Sequence, residues 1–319
     1  MRKIKVGVVG VGYLGRFHAL KYAKLKGCEL VGVVDIIKER ADEVAKTCNT
    51  TPFYRHQELF DKVRAVSIAV PTISHYPITK DFLERGIDVL LEKPMAMNLK
   101  EARELVEIAE ERHLIFQVGH LERFNTAVMA LEGILKDPMF IESHRLSPFE
   151  GRGLDVDVVL DLMIHDIDII LSLVKAPVER IWAVGVPVLS NKVDIANVRI
   201  AFANGCVANI TASRVSQVRT RKVRIFQADA YISIDFANQH VTVLRREGEG
   251  TFPRIVEEKV EITKGDSLER EIEAFVEAVR SRGQPPITGA DGLRALEVAV
   301  KIKEEMEAFF RKHRHKLKV

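Results

Sequence analysis

Three groups of residues in this 319-residue chain have types and spacings that bear on chemistry. The first is Gly10-Val11-Gly12-Tyr13-Leu14-Gly15, set between an apolar run and a stretch of helical periodicity, with Asp35 closing the next apolar run twenty residues further on. Glycines at this spacing permit a tight turn, the approach of a pyrophosphate to a helix N-terminus, and close packing of helix on strand; the acidic residue suits the adenosine ribose hydroxyls. Gly10, Gly12, Tyr13, Leu14, Gly15 and Asp35 are therefore the candidate dinucleotide contacts, the competing reading being a mere tight turn. A carboxylate at 35 favours NAD and repels the extra phosphate of NADP. Ile36 and Ile37 supply no compensating cation, though Lys38 and Arg40 stand close by, so NADP is the less favoured cofactor.

The second group sits at two later strand ends, where α/β sheets place ligands: Pro71, Thr72 and His75 after one apolar run, and Glu92-Lys93-Pro94 after the next. Both segments are expected to face the cofactor. The third lies in a nearly all-apolar helix expected over Asp157–Val174, interrupted by Asp161, His165 and Asp168 on one face and by Asp166 to one side. An Asp one turn before a His can orient the ring and stabilise its protonated form, which makes the His a competent general base. The plainer alternative is that this stripe is the solvated face of the helix.

The elements that must position these residues are legible as hydrophobic patterns. Near-continuous apolar runs at Ile4–Val9, Leu30–Asp35, Ala65–Val70, Asp88–Leu91 and Ile115–Gly119 alternate with helical stretches at Glu39–Cys48, Ile78–Arg85 and Leu99–Arg112, as βαβ units require. Asn98 is placed to cap the last of these helices. After Phe124 the rhythm changes. A helix near Thr126–Lys136, a strand near Phe140–Leu146 and the long helix precede seven strands, read as an antiparallel meander between residues 179 and 261. Two helices, Leu268–Arg282 and Asp291–Lys312, end the chain around a breaking Gly283-Gln284-Pro285-Pro286.

The fold class that follows is α/β. A Rossmann doubly wound parallel sheet over residues 1–120 is joined to a C-terminal α+β substrate and oligomerisation domain over 121–319, built on a large, mainly antiparallel open sheet. The last helix is free to pack back on the first domain. So broad a sheet has few helices to cover it, which implies a homodimer or homotetramer formed through that sheet.

Composition excludes several classes. A net charge of +3 with no clustered basic face argues against nucleic acid, and no apolar run reaches membrane-spanning length. The basic run Arg311–Lys316 reads as a solvated helix end. Cys28, Cys48 and Cys206 have no metal-site or disulfide spacing, so no metal is expected. With no leader-like segment at Met1–Ile4, the expectation is a soluble cytoplasmic protein.

Taken together, the glycine motif with Phe17-His18 after it, Glu92-Lys93-Pro94, Gln117-Val118-Gly119-His120 and the Asp161…His165 pair resemble the Gfo/Idh/MocA family of oxidoreductases over almost the whole chain. The resemblance implies that Lys93 lies at the substrate hydroxyl beside the nicotinamide and that Asp161 and His165 complete the site. It also adds Glu92, Lys93 and Gln117 to the cofactor contacts. Within the family, the segments around His120-Leu121-Glu122-Arg123-Phe124-Asn125, Arg145–Phe149 with Arg152, and Asp161–Asp166 are similar to UDP-N-acetylglucosamine 3-dehydrogenases and related nucleotide-sugar enzymes. His120, Arg123, Asn125, Arg152, Asp161 and His165 are thereby the substrate-binding candidates. Arg123, Arg145, Arg152, Arg214 and Arg219 are possible partners for a diphosphate. The chain departs from the family pattern at Met163, where a glycine is frequent, and at Thr126, where proline is usual.

The implied activity is NAD-dependent oxidation of a ring hydroxyl on a sugar, a UDP-linked N-acetyl sugar first, with a free sugar or inositol as the alternative. A non-catalytic NAD-binding sensor or assembly protein is the alternative of another class, since fold does not guarantee activity.

Overall fold

A computed structural model describes residues 3–149, 156–248 and 254–313. The chain divides into two compact units, Met1–Leu121 with Asp266–Arg294, and Glu122–Gly265 with Ala295–Val319.

In the first unit the apolar runs become β1 (Ile4–Val9), β2 (Cys28–Val34), β3 (Thr51–Phe53), β4 (Ala65–Ile68), β5 (Asp88–Glu92) and β6 (Phe116–Gly119). They form one parallel sheet in the order β3-β2-β1-β4-β5-β6. This is the doubly wound Rossmann order, which reverses direction beside β1 and leaves a crevice at its strand ends. Helices α1 (Gly15–Lys24), α2 (Lys38–Cys48), α3 (His75–Leu83) and α4 (Leu99–Glu111) make the crossovers. Asn98 caps α4 by accepting a hydrogen bond from the Glu101 amide at 3.0 Å. β3 carries only three residues, one of them proline, and lacks the apolar run that marks its neighbours, which is why sequence patterning passes over it.

The sequence pattern assigns all of 121–319 to the second domain, yet α7 (Ser267–Ser281) belongs with the first unit. Its apolar face explains the return. Ile272, Phe275, Val276 and Val279 join Val6, Val8, Ala19, Tyr22 and Val33 in one buried core. Arg282, just past the helix, donates to the buried Asp88 carboxylate at 2.7 Å, and that carboxylate also accepts from the Ile115 amide at 2.9 Å.

The second unit contains α5 (Thr126–Met129), β7 (Pro138–Leu146), a π-helical turn over Val159–Met163 continuing into α6 (Ile164–Leu173), and strands β8 (Val178–Val186), β9 (Ile195–Phe202), β10 (Val207–Ser213), β11 (Thr220–Gln227), β12 (Ala230–Asp235), β13 (His240–Glu247) and β14 (Arg254–Glu258). The helix expected to Lys136 stops at Met129; Gly133 adopts φ +78°, and Pro138 lies ahead. The meander is also interrupted. β7 inserts between β10 and β11, so the sheet runs β14-β13-β12-β11-β7-β10-β9-β8, with β10 and β7 parallel and the other pairs antiparallel. Alternation along the strands buries one face, including Ile141, Val198, Ile210, Ile225 and Ile234, and leaves the other open. The last helix, α8 (Gly289–His313), begins in the first unit and continues in the second from Ala295. Among the described residues no helix is long and apolar enough to cross a membrane.

Candidate functional site

The glycine turn between β1 and α1 shows three different local demands. Gly10 adopts φ +81°, where a side chain would be strained, and a Cβ there would meet the Ala69 carbonyl oxygen at 2.6 Å. A Cβ at Gly15 would lie 1.7 Å from the Gly10 carbonyl oxygen. At Gly12, by contrast, a Cβ would meet nothing nearer than Arg40 Nη1 at 3.7 Å. Gly10 and Gly15 thus shape the turn, while Gly12 leaves open space above it. Helix α1 has no side-chain N-cap and no acidic residue in its first turn, a terminus suited to an anion.

Asp35 follows β2 and is almost fully buried. Its carboxylate accepts from the Val11 and Ile37 amides at 3.0 Å each, and the Arg40 guanidinium lies 3.4 Å away. The cavity beside it, about 680 Å³, is lined by Gly10, Gly12, Tyr13, Leu14, Asp35 and Pro71 from the sequence prediction. Ile36, Arg40, Tyr54 and Gln57 also line it. Patterning missed Tyr54 and Gln57 because they follow the unrecognised β3. Ile36 had a usable signal, an isoleucine beyond the strand end, and it is 90 % exposed at the cavity wall. These dimensions and donors fit a dinucleotide.

Gly15, Thr72, His75, Glu92, Lys93 and Gln117 are not among the residues lining this cavity. His75 is buried with Nδ1 2.7 Å from the Pro94 carbonyl oxygen and Nε2 2.8 Å from that of Val70, so it ties the loop after β5 to the loop after β4. Burial pulls its pKa below the ordinary imidazole value, against the two carbonyls that raise it. Lys93 is half-buried in a cis Lys93–Pro94 peptide. Before it, Glu92 accepts from His18 Nε2 at 3.0 Å. Burial pushes the Glu92 carboxyl up, but the His18 hydrogen bond and charge, with Lys93 and His75, bring it below the usual range. Gln117 is wholly buried on β6 and donates from Nε2 to the Glu271 carbonyl oxygen at 3.2 Å. His120, just after β6, is also buried.

In the second unit, Asp157 caps the π-helical turn, accepting from the Val159 and Leu160 amides at 3.1 Å each. Asp161 and His165 are half-buried, whereas Asp166 and Asp168 are buried. Two of the candidate arginines satisfy those buried carboxylates. Arg123 makes a bidentate pair with Asp168 at 2.6 and 2.8 Å. Arg145 donates twice to Asp166, at 2.7 and 3.2 Å, and once to Glu122 at 2.8 Å. Arg214 is likewise occupied, by Asp194 at 2.8 Å and the Val156 carbonyl at 3.1 Å. Asn125 caps α5 through the Ala127 amide at 3.1 Å and donates to the Phe236 carbonyl at 3.1 Å. Arg219 is exposed, and Arg152 lies outside the described residues. Arg221, not singled out from sequence, is half-buried near Glu122 at 3.9 Å, its pKa lowered by burial and by Arg145.

A six-stranded parallel sheet with this turn, this carboxylate and this cavity, joined in one chain to a large mainly antiparallel sheet, defines a dinucleotide-dependent oxidoreductase. Residues 4–120 match the model described as "Oxidoreductase family, NAD-binding Rossmann fold", and residues 135–233 match the GFO/IDH/MocA C-terminal domain. The chain belongs to the GFO/IDH/MocA family of oxidoreductases, and its first unit is an NAD-binding Rossmann domain. It is 39 % identical to a UDP-N-acetylglucosamine 3-dehydrogenase of Acidithiobacillus ferrooxidans, covering 98 % of this chain and 100 % of that one. A scyllo-inositol 2-dehydrogenase (NAD(+)) of Bacillus subtilis is 28 % identical over 93 % of this chain and 92 % of its own. Among solved structures, the Acidithiobacillus enzyme superposes with TM-score 0.91 at 38 % identity, over 97 % of this chain and 99 % of that one. Scyllo-inositol dehydrogenase from Lactobacillus casei, with bound NAD(H) and scyllo-inositol, shares the fold at TM-score 0.81 and 22 % identity, over 96 % and 98 % of the two chains.

Proposed function

We propose that this chain is an NAD-dependent dehydrogenase that oxidises a ring hydroxyl of a UDP-linked N-acetyl sugar. The observation that carries the reading is similarity end to end with a UDP-N-acetylglucosamine 3-dehydrogenase, at 39 % identity over 98 % of the chain.

Gly10, Gly12 and the N-terminus of α1 hold the pyrophosphate of the cofactor, and Asp35 accepts from its adenosine ribose. NAD, when bound, supplies the hydride acceptor. The protein's part is to position the reactants and to remove a proton. We assign the hydroxyl proton to Lys93 and His165, with Asp161 orienting the imidazole. Because Arg123, Arg145 and Arg214 are held by carboxylates, Arg221, whose nearest carboxylate is Glu122 at 3.9 Å, is the better candidate for a diphosphate. We further propose that two copies associate through the open sheet face, and that the enzyme works in the cytoplasm with its three cysteines as thiols.

A second reading, a free inositol as substrate, is favoured by the inositol dehydrogenase relative. Product analysis separates the two. Incubation with NAD and UDP-N-acetylglucosamine is expected to give a keto-sugar nucleotide lacking two hydrogens. Product from myo- or scyllo-inositol alone would replace the nucleotide sugar, and none from any of them would leave an NAD-binding protein without this activity.

A further inference from the structure

One buried acid of the first unit has no role in the chemistry assigned above. Glu271 lies on the inner face of α7 beside Ile272 and has no exposed surface. Neither carboxyl oxygen has a hydrogen-bond partner among the described residues. One of them lies within 4.8 Å of both a His18 ring nitrogen and a Glu92 carboxyl oxygen. His18 and Tyr22 face this acid from α1, Glu92 from β5 and Gln117 from β6. The Tyr22 hydroxyl is paired with Ser67 of β4 at 2.8 Å, and the charges of Lys93 and His75 act on Glu92.

Four buried polar atoms of this cluster have no hydrogen-bond partner among the described residues: His18 Nδ1, Gln117 Oε1 and both Glu271 carboxyl oxygens. His18 is paired to Glu92 through Nε2, which leaves Nδ1 without a partner, and Gln117 Oε1 is an acceptor. An ionised Glu271 would place a second buried negative charge near that of Glu92 with no hydrogen bond to stabilise it, which is costly. A protonated Glu271 carries no charge of its own and offers an O–H to these unpartnered atoms.

We infer that Glu271 is a neutral, protonated acid in the native protein, a positioning residue that holds the cluster behind Lys93 at one negative charge, that of Glu92, in place of two. Burial, reinforced by the Glu92 charge, pushes the Glu271 carboxyl well above the usual carboxylate range. A second negative charge there would draw a proton onto Lys93 and weaken it as a proton acceptor. That consequence rests on the role proposed for Lys93, whereas the protonation of Glu271 does not.

The sign of the stability effect distinguishes this acid from an ordinary structural contact. The native state keeps a proton that the unfolded chain releases above about pH 4.3, so stability falls as pH rises from there through the native pKa. Glu271→Gln, neutral at every pH, removes that loss. Melting of the full chain between about pH 5 and 9 should show the variant above wild type by about 2 °C or more, with the gap widening as pH rises. Infrared difference spectra should show a protonated-carboxyl stretch in wild type that the variant lacks. A variant less stable by the same amount at every pH, no such band in wild type, or one bound metal ion per chain lost on substitution would each overturn the inference. If turnover is found, the midpoint of kcat/KM against pH that reports Lys93 should stay in place in the variant, and a downward move would mean that Glu271 was ionised. Should wild type turn over no substrate, the proposed function fails while the melting and infrared results still decide Glu271.

Discussion

At the scale of single residues, the Arg214 guanidinium and the Asp194 carboxylate lie 2.8 Å apart with both side chains almost wholly buried. Arg123, Arg145 and Arg214 carry the fork geometry that suits a diphosphate, yet each already grips a buried carboxylate. Sequence spacing brings no sign of this, because the Arg145–Asp166 and Arg214–Asp194 pairs join positions twenty or so residues apart that only the tertiary fold brings together. A buried pair left half-broken is costly, so Asp194→Asn should destabilise the protein by about 3–5 kcal/mol in denaturant titration. The Ser190 hydroxyl, the Leu189 and Ser190 amides and Arg214 hold the Asp194 carboxyl far below its ordinary range despite burial. Its stabilising effect is therefore present above the unfolded pKa, near 3.9, and is lost as pH falls through the native value. Acid unfolding of the Asn variant should consequently show a weaker pH dependence than wild type; an identical profile would remove Asp194 from the account. Arg221→Ala, by the same reasoning, should raise KM for a nucleotide sugar about tenfold while leaving NAD affinity unchanged, which initial-rate kinetics can check.

At the scale of elements, alternating apolar runs and helical periodicity located the Rossmann strands because strands covered on both faces leave few polar positions to blur the pattern. The glycine motif was readable for the same reason, since its strand and helix flanks are unambiguous. The difference between its glycines emerged only with neighbours in place. Gly15→Ala forces a Cβ against the Gly10 carbonyl and should unfold the first unit or leave the protein insoluble. Gly12→Ala meets only an arginine tip and should keep its melting temperature while NAD affinity drops at least about tenfold, as calorimetric titration would show. Equal damage to stability from both substitutions would contradict the division of labour drawn here. β3 and the early end of α5 were illegible because three residues carry no periodicity, and because a positive φ at Gly133 is decided locally rather than by pattern.

For the molecule as a whole, the two sheets were foreseen, but the traffic of the chain between units was not. Helix α7 reads as an ordinary amphipathic helix, and nothing in its sequence says which core will take its apolar face; contact with α1 and β1 settles that. Likewise β7 precedes the run of strands in sequence but sits in the middle of their sheet. On the open face of that sheet Phe140, Phe226 and Tyr231 cluster, with ring centroids 5.5 and 5.2 Å apart, and Trp182 is 50 % exposed. Aromatic surface of this kind is what the proposed association of two copies would cover. Light scattering should therefore give at least twice the 36.0 kDa chain mass, and Phe226→Glu should shift the population toward monomer. A monomer in the wild type would refute association through this face.

The most direct test of the central claim follows nicotinamide absorbance when wild-type protein and Lys93→Ala, each saturated with NAD, meet UDP-N-acetylglucosamine. The account expects reduced nicotinamide to form in the wild type and to fall by a factor of at least about 100 in the variant, with NAD binding preserved. Formation of reduced cofactor at equal rates in both proteins would remove Lys93 from the chemistry, and its absence from the wild type, with inositol active in its place, would contradict the nucleotide-sugar reading itself.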